Sequence, residues 1–229
     1  IQQQILDAFE QDFSKHAPVE VVSRIRMLWH SIPAQLTKEN KKFIYGLLKE
    51  GARAKEYEIA LLWLIDCGLV HRVNRVNRPN LPLKSYEDLK AFKLFLPDVG
   101  LLSCMTRLDQ RILVHGKTLF QEFNGALTEQ YVLQQLKALD RIERTIEPMT
   151  GHAEIDFLLD AGRQIIPVEV KAESNLKAKS LKLFHEKYRP GIAVRTAMTD
   201  YRQDGWLTNI PLWAIGQTIA HLADHGTDL

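Results

Sequence analysis

Only two cysteines, Cys67 and Cys104, occur in 229 residues. Both sit in apolar runs without ligand-like spacing, which excludes a disulfide framework and a Cys-based zinc site. They read as reduced core thiols, and the expected compartment is the cytoplasm. No apolar run approaches the roughly 18 residues of a membrane span, and no signal peptide is recognisable, so no membrane partner is expected. Net charge is only +2, too small to name a partner by itself. A complete phosphate loop is also missing. Gly116-Lys117-Thr118 imitates its end, but the position five residues earlier, where the pattern needs glycine, is Arg111. No nucleotide site is expected in this chain.

The chain is 45% hydrophobic and 25% charged, enough for a packed core. Charge is unevenly spread. Residues 24–55 hold eight Lys/Arg against Glu39 and Glu50, whereas residues 1–23 hold four acids against Lys15. The sequence begins at Ile1, inside an amphipathic pattern, and reads as a piece of something longer. Ile1, Ile5, Leu6, Phe9 and Phe13 follow helical spacing. This helix packs either on a missing segment or back on this chain's own core. Pro18 opens a second helix with Val21, Val22, Ile25, Leu28 and Trp29 on one face, and Pro33 is expected to end it.

Residues 34–79 read as one unit, in the order helix, helix, helix and hairpin. A helix start near Leu36-Thr37 leads to Phe43, Ile44, Leu47 and Leu48. A stronger helix spans Glu56 to Asp66, with Ile59, Leu62, Trp63 and Ile65 as its stripe. Gly68 ends it, and Leu69 to Val76 reads as a strand. The order is that of a winged helix. The third helix carries Glu56, Glu58 and Asp66 and no arginine, which argues against groove reading by that face. Lys38, Lys41, Lys42, Lys49, Arg53, Arg72, Arg75 and Arg78 are candidate phosphate contacts; the alternative is an ordinary solvated face. Leu94 to Leu96 reads as a short buried strand and Asp98 to Leu102 as a turn into a helix.

The chemistry concentrates further on. Residues 125–139 form a helix striped by Val132, Leu133 and Leu136. Glu129 shares their angular position, either facing a site or merely favouring the helix N-terminus. Ile155 to Asp160 and Ile165 to Lys171 read as two strands joined at Ala161-Gly162. A two-residue turn puts Asp160 opposite Arg163 and Asp156 opposite Pro167, on the face of Glu169 and Lys171. Two acids and a lysine on one patch suit a divalent cation and a phosphate. The bland alternative is a salt-bridge ladder on a half-exposed hairpin. A further helix around Leu181 and Phe184, two apolar strands and a last helix complete an α/β domain with a mixed sheet.

Asp156, then Glu169-Val170-Lys171, with Glu129 on a preceding helix, resembles the PD-(D/E)XK nuclease superfamily. The resemblance implies that Asp156, Glu169 and Glu129 hold Mg²⁺ and that Lys171 orients a water or steadies charge. Lys177 and Lys179 are then the nearest candidates for an additional basic group. A wider resemblance rests on Leu36-Thr37-Lys38 with Phe43, Trp63-Leu64 with Gly68-Leu69-Val70, Pro82-Leu83, Phe92-Lys93-Leu94 with Asp98-Val99-Gly100-Leu101-Leu102, Gly125-Ala126 with Glu129, Glu154-Ile155-Asp156-Phe157, Pro167 to Ala172, and Ile210-Pro211-Leu212. This looks like the C-terminal half of prokaryotic AAA-type ATPases. It implies an α+β chain divided into a helical segment 1–30, left from the lid or linker of a missing ATPase domain, a winged-helix-like domain 31–105, and a restriction-endonuclease-like mixed-sheet domain 106–229. The implied partners are the ATPase domain and DNA. The implied activity is either metal-dependent cleavage of nucleic acid or, without turnover, a docking scaffold controlled by the ATPase.

Overall fold

The computed structural model describes residues 1–37, 42–107, 121–139, 147–149, 154–162, 164–172 and 179–225, with backbone alone at 121–123, 147–149 and 224–225. Gly116 to Thr118 and Arg111 therefore lie outside the described residues. The chain forms two compact units, each discontinuous in sequence: Ile1–Arg72 with Lys93–Gln130, and Val73–Phe92 with Tyr131–Leu229.

The first unit is helical: α1 (Gln2–His16), α2 (Val19–Thr37), α3 (Ala54–Asp66) and α4 (Val99–Met105). Leu6 and Phe13 of α1 are buried. Phe13 meets Trp29 and Trp63 edge-to-face, each at 5.7 Å between ring centres, so α1 folds onto this chain's own core. Contrary to expectation, α2 runs through Pro33. The proline removes one backbone donor, but the buried stripe Val21, Ile25, Leu28, Trp29, Ile32 continues to Gln35. The Gln35 carboxamide is tied twice to the Ile44 backbone, at 2.9 and 3.0 Å, and that anchoring carries the helix past the break. The helix expected over Phe43 to Leu48 is a 3₁₀ turn at Tyr45–Leu47.

In α3 the buried residues are Tyr57, Ala60, Leu61 and Leu64. Of the expected stripe, Ile59 and Leu62 are turned outward, 65% and 47% exposed, whereas Trp63 and Ile65 are half-buried. Both stripes satisfy helical spacing, and packing against α2 selects between them. Asp98 caps α4 by accepting from the Gly100 and Leu101 amides at 2.8 and 3.2 Å. Cys67 is exposed just past α3, not in a core, and Cys104 is half-buried; both are free thiols.

The second unit holds a mixed eight-stranded sheet of order β2-β1-β3-β4-β5-β6-β8-β7. Its strands are β1 (His71–Val76), β2 (Glu87–Phe95), β3 (Glu147–Met149), β4 (Ile155–Asp160), β5 (Ile165–Val170), β6 (Ala193–Ala197), β7 (Arg202–Asp204) and β8 (Leu207–Pro211). Helix α5 (Gln121–Lys137) precedes β3, α6 (Lys179–Tyr188) connects β5 to β6, and α7 (Ile215–His225) follows β8. Neighbours β3–β4 and β4–β5 are antiparallel, whereas β5–β6 and β6–β8 are parallel. Fold class is thus mixed α+β: a helical N-terminal region and a mixed sheet, as the residue pattern implies. Every residue of β6 and β8 is buried, as expected of strands covered on both faces. Leu158, Leu181, Phe184 and Ala193 form one core cluster that joins β4, α6 and β6.

The β4–β5 hairpin differs from the expected one by its loop. Asp160 pairs with Ile165 and Leu158 with Pro167, leaving 161–164 as the loop. Asp160 Oδ1 accepts from the Gly162 amide at 2.8 Å, and Gly162 sits at φ 78°, where glycine is at ease. Arg163, the expected partner of Asp160, lies outside the described residues. The pairing moves by two residues rather than one, so no side chain changes face.

Candidate functional site

The corrected register still brings Asp156, Glu169 and Lys171 to one face. Phe157 lies across from Val168. One step further along the same pairing, Asp156 lies across from Glu169. Asp156 Oδ2 accepts from the Val170 amide at 2.7 Å, which fixes its orientation beside β5. Glu169 is only 4% exposed, in a strand whose interior is buried on both faces. This removes the half-exposed ladder as a description of the hairpin. Lys171 Nζ lies 2.8 Å from Glu169 Oε1, with 32% of the lysine side chain exposed and 5% of the glutamate's. Glu169 Oε2 is buried and has no hydrogen-bond partner among the described residues. A buried carboxylate oxygen left in that state costs about 1–3 kcal/mol.

Two residues that the sequence reading passed over complete the row. Glu169 is in register with Arg195 of β6, and Arg195 with Asn209 of β8. Registered residues of adjacent strands share a face, so the polar row crosses β4, β5, β6 and β8. Arg195 is 4% exposed and donates from Nε to Asn209 Oδ1 at 2.8 Å. Asn209 Nδ2 in turn donates to Arg202 O and Asp204 Oδ2, both at 3.1 Å. Burial lowers the pKa of the Arg195 guanidinium, and the Glu169 charge opposes that fall. The sequence signal is a charge placed directly after the apolar run Ile192-Ala193-Val194.

Glu129 belongs to the helical unit. Lys93 Nζ lies 2.7 Å from its Oε2. The next residue, Gln130, is fully buried and holds the Leu96 backbone through both its amide groups, at 3.0 and 2.6 Å. Among the described residues, no three His, Cys, Asp or Glu side chains gather as a metal-holding group. The donors present still fit a hard divalent cation. Mg²⁺ is commonly bound by one or two carboxylates with water and phosphate oxygens, and the buried, unpartnered Oε2 of Glu169 is an oxygen of that kind.

The candidate phosphate contacts fall in both units. Lys42 and Arg53 are exposed and Arg72 is half-buried in the helical unit; Arg78 and Lys179 are exposed in the sheet unit. Arg75 is engaged by Asp88 in an ion pair. Lys38, Lys41 and Lys177 lie outside the described residues. No described helix is long and apolar enough to cross a membrane.

No curated protein sequence matches the chain. Residues 1–112 match the model of a domain of unknown function, DUF8612, and residues 124–215 match that of another, DUF4143, which is known from regions associated with AAA-type ATPases.

Proposed function

We propose that this chain is the C-terminal part of a cytoplasmic AAA-type ATPase, and that its sheet unit is a PD-(D/E)XK-type domain that binds Mg²⁺ and cleaves nucleic acid. The observation that carries this reading is the buried Glu169. One of its oxygens is held by Lys171, the other has no partner among the described residues, and Asp156 stands on the neighbouring strand. The order helix α5, antiparallel β3–β4–β5, helix α6, parallel β6 supports the same reading.

Asp156 and Glu169 would hold the cation. When bound, it would polarise a phosphoryl oxygen and lower the pKa of a water. The half-buried Lys171 ammonium can donate to a phosphate oxygen while Glu169 keeps it in place. The Val170 amide keeps Asp156 from turning away. Glu129, paired with Lys93, belongs to the helical unit and is not counted in this set. Lys42, Arg53, Arg72, Arg78 and Lys179, with Lys38, Lys41 and Lys177, are the proposed phosphate contacts.

A second reading, a scaffold without turnover that docks DNA or protein, is favoured by Arg195. With Lys171 it gives Glu169 two neighbouring cations, the role a metal would fill. The test is incubation with single- and double-stranded DNA and with RNA, with and without Mg²⁺. Cleavage that needs Mg²⁺ and falls about a hundredfold or more in Lys171→Met and Glu169→Gln supports the nuclease. Undiminished cleavage by Glu169→Gln would sink it. Salt-sensitive binding with no cleavage by wild type would select the scaffold.

A further inference from the structure

We infer that the sheet unit carries a second binding site, separate from the acid-lysine row, which takes a nucleotide: a planar base with a phosphate. The site is a pocket of about 560 Å³ lined by Tyr86, Phe184, Tyr188, Asn80, Gln164 and Arg189, among others. That volume falls within the range of small-molecule sites, and three aromatic walls with a few polar groups are the usual composition of one.

Its position sets it apart. Gln164 and Ile165 stand at the start of β5, and Gly191 just precedes β6. Glu169 is four residues beyond Ile165, about 13 Å along the strand.

Charge and chemistry choose the ligand. Among the described residues that line the pocket, Arg189 is the only charged one, and no carboxylate joins it. Lys187 adds a cation nearby, with Nζ 5.0 Å from the centre of the Tyr188 ring. An anion is therefore favoured. Tyr86 and Tyr188 offer rings on which a base can stack. The Asn80 and Gln164 carboxamides can each donate and accept, which suits the edge of a base. A guanidinium suits a phosphate, with which it forms paired charge-assisted hydrogen bonds.

The end of α6 sets where Arg189 stands. Arg189 follows the end of α6 at φ 47°, with its amide on His185 O at 2.8 Å. Glycine usually fills such a left-handed helix-ending position. Arg107, just past α4, takes the same conformation at φ 53°, so the conformation places Arg189 at the pocket wall and does not by itself mark a site.

The ligand is either a free mononucleotide or a nucleotide within a strand, and calorimetry with two probes separates them. Adenosine monophosphate is one probe and a deoxythymidine tetranucleotide the other. Binding of the first supports a free nucleotide, and binding of the tetranucleotide alone supports a strand. In either case Arg189→Gly should melt at the same temperature as wild type or higher, because it relieves the backbone, yet bind about tenfold or more weakly. Gly191→Leu should abolish binding by filling the pocket; a Cβ there already comes within 3.2 Å of Gln164 Oε1, a flexible end that can shift. Glu169→Gln should bind as wild type does. Silence from both probes, unchanged binding in both pocket variants, or loss on Glu169→Gln overturns the inference, and the last two outcomes leave the Glu169 reading standing.

Discussion

Removing Arg195 should expose how much Glu169 depends on it. Arg195→Met leaves a 4% exposed carboxylate with Lys171 as its one neighbouring cation in the row. Arg195 stands in register with Glu169 and acts on it by charge rather than as a bonded partner, and Lys171 remains, so the cost should be about 1–3 kcal/mol. Glu169→Met leaves Arg195 and Lys171 without their anion, and should cost about 2–3 kcal/mol on the same ground. The double variant replaces both charges by apolar chains of similar reach, a change that is often close to neutral. The two single costs should therefore exceed the double cost by about 2 kcal/mol or more. Urea unfolding of the four proteins, followed by circular dichroism, gives each term from the midpoint and slope. A coupling below about 0.5 kcal/mol would mean that the two side chains do not interact, and would refute the charge pairing along the row.

Two further changes test the frame around the site. Asp88 has its pKa held below the usual carboxylate value, first by the Lys90 amide at 3.0 Å and then by Arg75. Its contribution is present above the unfolded-state value near 4 and fades as pH falls through the lower folded value, so Asp88→Asn should destabilise at pH 7 and progressively less as pH falls toward 2. An equal loss at both pH values would contradict the stated cause. Pro33→Ala should stabilise the protein by about 1–3 kcal/mol, because the helix already passes this position and regains a donor. A loss of stability in thermal melts would show that the ring itself is needed.

The hairpin was legible because strand alternation and a turn glycine are local signals. Its parity survived an error in register because Asp160 and Gly162 lengthen the loop by an even number of residues. Pro33 misled for the opposite reason: a local rule gave way to a buried stripe and the Gln35 anchor. The buried face of α3 could not be chosen from spacing alone, since two stripes fit and α2 decides. Arg195 and Asn209 were missed because they meet Glu169 only through the parallel registers of β5, β6 and β8. The expected segments 1–30, 31–105 and 106–229 are continuous, whereas strands β1 and β2 take residues from the N-terminal half into the sheet of the second unit. No run of sequence announces such an exchange.

The most direct measurement is a calorimetric titration with Mn²⁺, a stand-in for Mg²⁺, on wild type, Asp156→Asn and Glu169→Gln. The account predicts binding to wild type that is lost or weakened about tenfold or more in both variants, as each removes one ligand. Wild-type protein that takes up no Mn²⁺, or variants that bind it as well as wild type does, would contradict the assignment of Asp156 and Glu169 as its ligands.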